Sequence, residues 1–295
     1  MQTKPINFAQ YSSFKIGPTI DVALLDNSTT KAEIQNYFLI GGCNNILISN
    51  NPPPLIMLSK DFDYIKIDNN TLIVGGATPS GKLASFCKKH NIAEFEFLSH
   101  LPGKIGGLVY MNAGLKEYEI FNRLITLKTL SAIKTKENIH YAYRYTDIDE
   151  PILEASFELN YGFDKEKVSM FKKMRANQPS TPSAGSCFKN PVGDYAGRLI
   201  EAVGLKGLMK GDMCFSQKHA NFLVNNGLGN FEDALFLIQE AQKRVFNEFG
   251  IDLELEIKIL DKEYMSQKTH IKNEALHLHI LLKNPYPFLC YRHHL

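Results

Sequence analysis

Two short runs of this sequence set glycine and asparagine beside apolar, strand-like residues. In Ile40-Gly-Gly-Cys-Asn-Asn-Ile-Leu-Ile48 the run is Gly41, Gly42, Cys43, Asn44 and Asn45. In the second, Pro102 and the glycines Gly103, Gly106, Gly107 and Gly114 fall close together, interleaved with Ile105, Asn112 and Ala113. Residues without a Cβ let a backbone turn tightly and press its N–H groups against a ligand. Two such loops beside strands fit a large anionic cofactor lying along the backbone, although glycine clusters also make plain turns. Other chemistry-bearing side chains stand singly: Arg144 within Tyr141-Ala-Tyr-Arg-Tyr145, Ser186 within Gly185-Ser-Cys-Phe-Lys-Asn-Pro191, and Glu256 in an alternating run near the end. An arginine among aromatics is either an exposed cation stacked on rings or a fixed guanidinium aimed at a carboxylate. The serine's setting equally suits an ordinary turn. The alternating acids face solvent by default, with one free to point into a cleft.

The elements that must position these groups are legible as short strands and a few helices. Residues 22–25, 38–40, 46–48 and 55–57 read as strands, with a Thr-capped helix near 30–37. Two β-branched runs flanking an Asp/Asn turn predict a hairpin over 65–74. Further strands are expected at 124–130, 140–145 and 152–159. A helix with a basic face starts after Asp164, carrying Val168, Phe171 and Met174 on its apolar side. The Pro/Ser stretch 178–183 then reads as a linker or an active-site loop. Asp194 is expected to cap a helix ending at Gly204, and Asn230 a longer one stopped by Gly250. From Ile251 to Ile259 apolar and polar residues alternate strictly, which predicts a strand.

Gly76-Ala-Thr-Pro-Ser-Gly-Lys-Leu83 nearly spells a phosphate-binding loop, and an ATP-binding protein built on it is the alternative of a different class. That motif requires a Ser/Thr hydroxyl for magnesium after the lysine and consecutive free N–H groups. Leu83 supplies no hydroxyl and Pro79 no N–H. The better reading is a helix capped by Thr78, begun by Pro79, with Leu83, Ala84, Phe86 and Cys87 facing the core.

With 295 residues, 22% charged and 44% hydrophobic, the chain can bury a substantial core in one large or two to three smaller domains. A net charge of +2 without a clustered basic face argues against a nucleic-acid partner. No stretch has the apolar length of a membrane span or signal peptide, so no membrane association and a cytoplasmic location are expected. The five cysteines lack disulfide-framework or zinc spacing, so no metal is expected. Residues 261–295, with His270, His277, His279, His293 and His294, read as an extension of unknown role whose histidine spacing fits no standard metal site.

Taken in order, Ser13-Phe-Lys-Ile-Gly17, Gly41-Gly-Cys-Asn-Asn45, the Pro102–Gly114 loop, Tyr143-Arg144, Gly185-Ser-Cys-Phe-Lys-Asn-Pro191, Lys218-His-Ala-Asn-Phe222 and Glu256-Ile-Lys258 resemble the UDP-N-acetylenolpyruvoylglucosamine reductase family over about residues 5–260. The resemblance implies an α+β fold. Residues 1–162 would form an FAD-binding domain of the PCMH/vanillyl-alcohol-oxidase type, with subdomains of about 1–60 and 61–162, and residues 163–260 an α+β substrate-binding domain. It further implies FAD as cofactor, NADPH as reductant, UDP-N-acetylglucosamine enolpyruvate as small-molecule substrate, a role in peptidoglycan precursor synthesis and a monomer. The missing G-x-G-x-x-G fingerprint fits a cofactor bound outside a Rossmann fold. A flavin oxidase of the same superfamily is the nearer alternative.

By position in these motifs, Arg144 would hold the charge that develops on the substrate carboxylate, Glu256 would polarise the same carboxyl if protonated, and Ser186 would protonate carbon. Tyr143, Lys189, Asn190, Lys218 and His219 would contact substrate. Gly41, Gly42, Cys43, Asn44, Asn45, Pro102, Gly103, Ile105, Gly106, Gly107, Asn112 and Ala113 would hold the flavin. The sequence departs from the family pattern at Cys43 and Asn44, which stand for the usual glycine and serine, and at Lys104, where threonine is frequent. Only 42 residues separate Arg144 from Ser186, so the substrate-covering tyrosine loop of the longer members is absent, as in the shorter class.

Overall fold

The structure, a computed structural model, describes residues 1–267; the histidine-bearing part of the extension lies outside them. Three sheets carry the architecture. The first orders the strands Thr3–Asn7, Thr19–Leu25, Leu55–Leu58 and Phe38–Ile40, antiparallel at the first pairing and parallel at the other two. The second is a five-stranded antiparallel sheet, Ile133–Thr135, Leu124–Lys128, Glu154–Glu158, Thr71–Gly75 and Ile65–Asp68. The third, also antiparallel, orders Ser183–Ser186, Phe222–Asn225, Met213–Phe215 and Met209–Lys210. A parallel pair, Ile46–Ile48 with Lys258–Leu260, ties the end of the described chain back to the first glycine loop.

The first and third sheets bury residues on both faces, so that Val22 and Ala23, or Leu223 and Val224, fall in different clusters. Leu72, Val74, Ala155 and Phe157 of the second sheet pack with Leu83, Ala84 and Cys87 of the helix Ser80–Lys89 and with Phe95, Phe97 and Phe121. The helix Lys165–Met174 adds Phe171 to the same core, edge-on to Phe97 and Tyr118. The expected boundary at 162/163 therefore falls before a helix that packs with the preceding unit. The third sheet is covered by Ala196–Ala202 and the 19-residue helix Phe231–Phe249, whose Ala234, Leu237, Ile238, Ala241 and Val245 form its buried stripe. Phe14, Ile16 and Leu47, from the amino-terminal part, belong to this core too.

Several local expectations hold in detail. Asp164 accepts the N–H groups of Glu166 and Lys167, Asn230 accepts that of Asp233 at 2.8 Å, and Gly250 closes the long helix at φ +67°. Others are overridden by tertiary contacts. Thr30 pairs with the Glu33 carboxylate, but only the 3-10 turn Ala32–Ile34 forms. Thr78 does not cap the helix that follows, because its buried hydroxyl turns inward to Tyr64 O at 3.0 Å. The predicted cap at Asp194 gives way to Tyr195, with the Asn190 side chain accepting Ala196 N–H at 3.1 Å. Residues 251–257 are not a strand; apart from a bridge between Phe188 and Leu255, pairing is confined to Lys258–Leu260. The strand expected at 140–145 is a small hairpin, Tyr141–Ala142 against Tyr145–Thr146. Tyr143 and Arg144 form its turn.

Candidate active site

That turn holds Arg144 at φ +56°, left-handed backbone that a non-glycine residue adopts only when its surroundings enforce it. Three acceptors do so. The guanidinium reaches Gly114 O at 3.0 Å, Asn112 O at 3.5 Å and Glu256 Oε1 at 3.0 Å. The Tyr143 ring lies 5.0 Å from it. The arginine is thus fixed between the end of the second glycine loop and a carboxyl 112 residues away. Glu256 is mostly buried, and burial pushes its carboxyl above the ordinary range against the pull of Arg144 and Lys189.

Ser186 ends the strand Ser183–Ser186, next to Phe222. The carbonyl of the following residue, Cys187, accepts Glu256 N–H at 2.9 Å, so serine and glutamate sit on bonded backbone segments. Asn221 locks this junction: its side chain accepts Phe188 N–H and donates to Phe188 O, while its carbonyl accepts Cys187 N–H. Ser186, Glu256 and Tyr143 line one open cleft of about 320 Å³ with Asn190, Lys218 and His219. Burial lowers the His219 pKa, and its Nδ1 accepts Asn221 N–H at 3.2 Å. Lys189 is the predicted contact that is not on the cleft wall; it pairs with Glu254 at 2.7 Å. Tyr195, Arg198 and Lys206 line the cleft without having been singled out in the sequence. Their only signal is a helix start close behind the Ser186 loop.

The glycine loops meet. A Cβ on Gly42 would lie 3.5 Å from the Gly103 Cα, and one on Gly107 would meet nothing within 4 Å. Among the described residues no group accepts the N–H of Gly42, Cys43 or Asn44. Backbone donors left free beside glycines suit a diphosphate-bearing cofactor. The side chains around it are engaged elsewhere. Asn44 is bonded to Ser13 and to Gly42 O, and Asn45 reaches Glu256 O at 2.9 Å and Met111 Sδ. Buried Asn112 serves Glu119, Ala142 O and Phe121 N–H, and Ile105 and Ala113 are in the core. Gly106 packs against the backbone of Gly76 and Ile152. Pro102 stands at the loop's entry, exposed. Contacts from these positions to a cofactor are therefore backbone contacts. Cys43, at φ +50°, sends its thiol into the core rather than over the loop, and burial pushes its pKa up to about 12.

The near-phosphate-loop at 76–83 has no such freedom. The N–H groups of Gly76, Ala77, Thr78 and Ser80 bond Leu153, Phe62, Gly75 and Gly103 carbonyls, and Lys82 pairs with Asp63. No group of three or more potential metal ligands occurs among the described residues, and none of their helices is long and apolar enough to cross a membrane.

The fold is similar to the crystal structure of UDP-N-acetylenolpyruvylglucosamine reductase from Thermus caldophilus, with a TM-score of 0.75 and 27% identity over 88% of this chain and 99% of that one. With the glycine-loop cradle, it defines the class: an α+β oxidoreductase of the FAD-binding PCMH type. Residues 177–260 match the family described as UDP-N-acetylenolpyruvoylglucosamine reductase, C-terminal domain. The Helicobacter hepaticus enzyme of that name is 49% identical, covering 88% of this chain and all of the relative, and a Campylobacter jejuni enzyme is 48% identical over 86% and 99%. The chain belongs to the UDP-N-acetylenolpyruvoylglucosamine reductase family.

Proposed function

We propose that this chain uses NADPH and FAD to reduce UDP-N-acetylglucosamine enolpyruvate to UDP-N-acetylmuramate in peptidoglycan precursor synthesis. The observation that carries the reading is the 3.0 Å contact of Arg144, which stands behind the cleft wall, with Glu256, which lines the same cleft as Ser186. FAD held by the backbone of the two glycine loops would supply hydride transfer from NADPH to the enolpyruvyl ether. The protein's residues do the rest. Arg144 holds the substrate carboxylate and the charge that grows on it, already oriented by Gly114 O and Glu256. Glu256, kept protonated to higher pH by burial, donates to that carboxylate. Ser186 delivers the proton that carbon requires.

Tyr143, Asn190, Lys218 and His219 bind the nucleotide-sugar, and Lys189 acts through Glu254 and the field at Glu256. Residues 1–162 hold the flavin and 163–260 the substrate, with Lys165–Met174 packed on the flavin-binding unit. The proposed state is a monomer, and the proposed location is the cytoplasm. The oxidase alternative has the same cradle but no use for a fixed cation beside a protonated carboxyl and a hydroxyl.

The test is spectroscopic. Purified protein should be yellow, bleach anaerobically with NADPH, and recover its flavin absorbance on adding the enolpyruvyl substrate. A colourless protein that takes up no FAD, or colour that returns with air and ignores substrate, would sink the reading.

A further inference from the structure

Lys104 sits where the two glycine loops face each other. A side chain on Gly41 would touch its Cβ at 3.7 Å and its Cγ at 3.9 Å, so the lysine stem runs along the first loop. Its own backbone pairs with Pro79 and lies next to Gly103. The residue is half-buried, and among the described residues its ammonium makes no hydrogen bond or ion pair. The one carboxylate acting on it electrostatically, Asp63, is already held by Lys82 at 2.8 Å, and burial depresses the Lys104 pKa. A partly desolvated cation without a counter-charge is an unfavourable arrangement unless an anion joins it. Immediately beside it are the unbonded N–H groups of Gly42, Cys43 and Asn44.

We propose that Lys104 is a cofactor-affinity residue of this chain, its ammonium completing the anion site of the glycine loops by pairing with the diphosphate of FAD. The inference rests on the flavin reading above. A full charge at this place makes the hold on the cofactor dependent on ionic strength. Lysine acts here as a point charge on a flexible stem rather than as a planar fork.

The test compares cofactors with and without phosphates. Holoenzyme and its Lys104→Met, Lys104→Arg and Lys243→Ala variants, the last at an exposed lysine of the helix Phe231–Phe249, are stripped of flavin, and rebinding of FAD and of riboflavin is followed by flavin fluorescence at low and high salt. A charge-assisted bond of this kind is worth about tenfold in affinity. Lys104→Met should weaken FAD by about that factor at low salt and less at high salt, with riboflavin unchanged. Lys104→Arg should retain most of the FAD affinity, and Lys243→Ala should match wild type. Equal weakening of FAD and riboflavin would mean a structural role and overturn the proposal, as would unchanged FAD binding in Lys104→Met. Wild-type protein that binds neither flavin would instead overturn the flavin reading itself.

Discussion

The cradle at the glycine loops and the cleft at Ser186 are built from opposite materials. In the cradle the backbone is presented and the polar side chains are turned away: Asn44 to Ser13, Asn45 to Glu256, Asn112 to Glu119. In the cleft side chains are presented and the backbone is consumed by bonds among Cys187, Phe188, Asn221 and Glu256. A cofactor retained through each turnover is gripped by groups that do not change state, whereas a reacting carboxylate and carbon need side chains that donate and withhold protons. Mutation should therefore separate the two regions. Replacing cleft side chains should remove chemistry while leaving the flavin in place, and adding a Cβ to the cradle should remove the flavin while leaving the fold intact.

The largest effect is expected at the proton donor. Ser186→Ala should lower turnover by about 10²- to 10⁴-fold while NADPH still bleaches the flavin at an undiminished rate, as stopped-flow absorbance would show. If reduction slows as much as turnover, the serine belongs to cofactor binding and the contrast fails.

Glu256 sharpens the comparison through pH. Its pKa is raised, so the neutral donor persists above the ordinary carboxylate range and is lost as pH rises through the folded value. Wild-type kcat should fall on that alkaline limb, and Glu256→Gln, which cannot ionise, should lack it at a cost of about tenfold in kcat. Glu256→Ala leaves the guanidinium without its carboxyl and should lower stability by about 2 kcal/mol in urea unfolding. Identical pH profiles for wild type and the glutamine variant would remove the carboxyl from the mechanism.

The converse test is Gly107→Ala. A methyl group there meets no protein atom within 4 Å, and alanine is the better helix former, so the apoprotein should gain about 0.5 kcal/mol. FAD affinity should nevertheless drop at least about tenfold, because the space is the cofactor's. A stabilised variant with normal flavin content would disprove that use of the space.

The smallest effect lies far from both regions. Lys31 and Ser131 bond Glu150, holding its carboxyl down to about 2 and linking the first sheet's unit to the second's. A depressed carboxylate contributes stability above its unfolded pKa that is lost as pH falls through the folded value. Between about 4.5 and 2, wild type should therefore lose thermal stability more steeply than Glu150→Gln, with turnover at neutral pH unaffected.

Much of this was legible before any coordinates. The ordered motifs pointed to the family, the Asn230 cap, the helix start after Asp164 and the Gly250 stop were read correctly, and the strands 38–40 and 46–48 fall where the short apolar runs put them. These are features whose cause is local: a side-chain oxygen three residues from an N–H, or apolar residues with one period. The failures share a different cause. Thr78 has the composition of a cap but bonds Tyr64, fourteen residues back. Residues 251–257 have the period of a strand, yet apart from the bridge of Leu255 to Phe188 a strand forms only where Ile46–Ile48 lies alongside.

By itself, then, the amino-acid sequence determined which residues could hold a cofactor, a carboxylate and a proton, because residue type and spacing along the chain carry that information. Only the tertiary structure decided that Arg144 turns through a left-handed backbone to meet Glu256, that Asn45 donates to the Glu256 carbonyl, and that Lys104 stands without a counter-charge among the described residues. Those facts depend on pairings between segments far apart in the chain, whose energies arise only when the sheets and their cores bring them together.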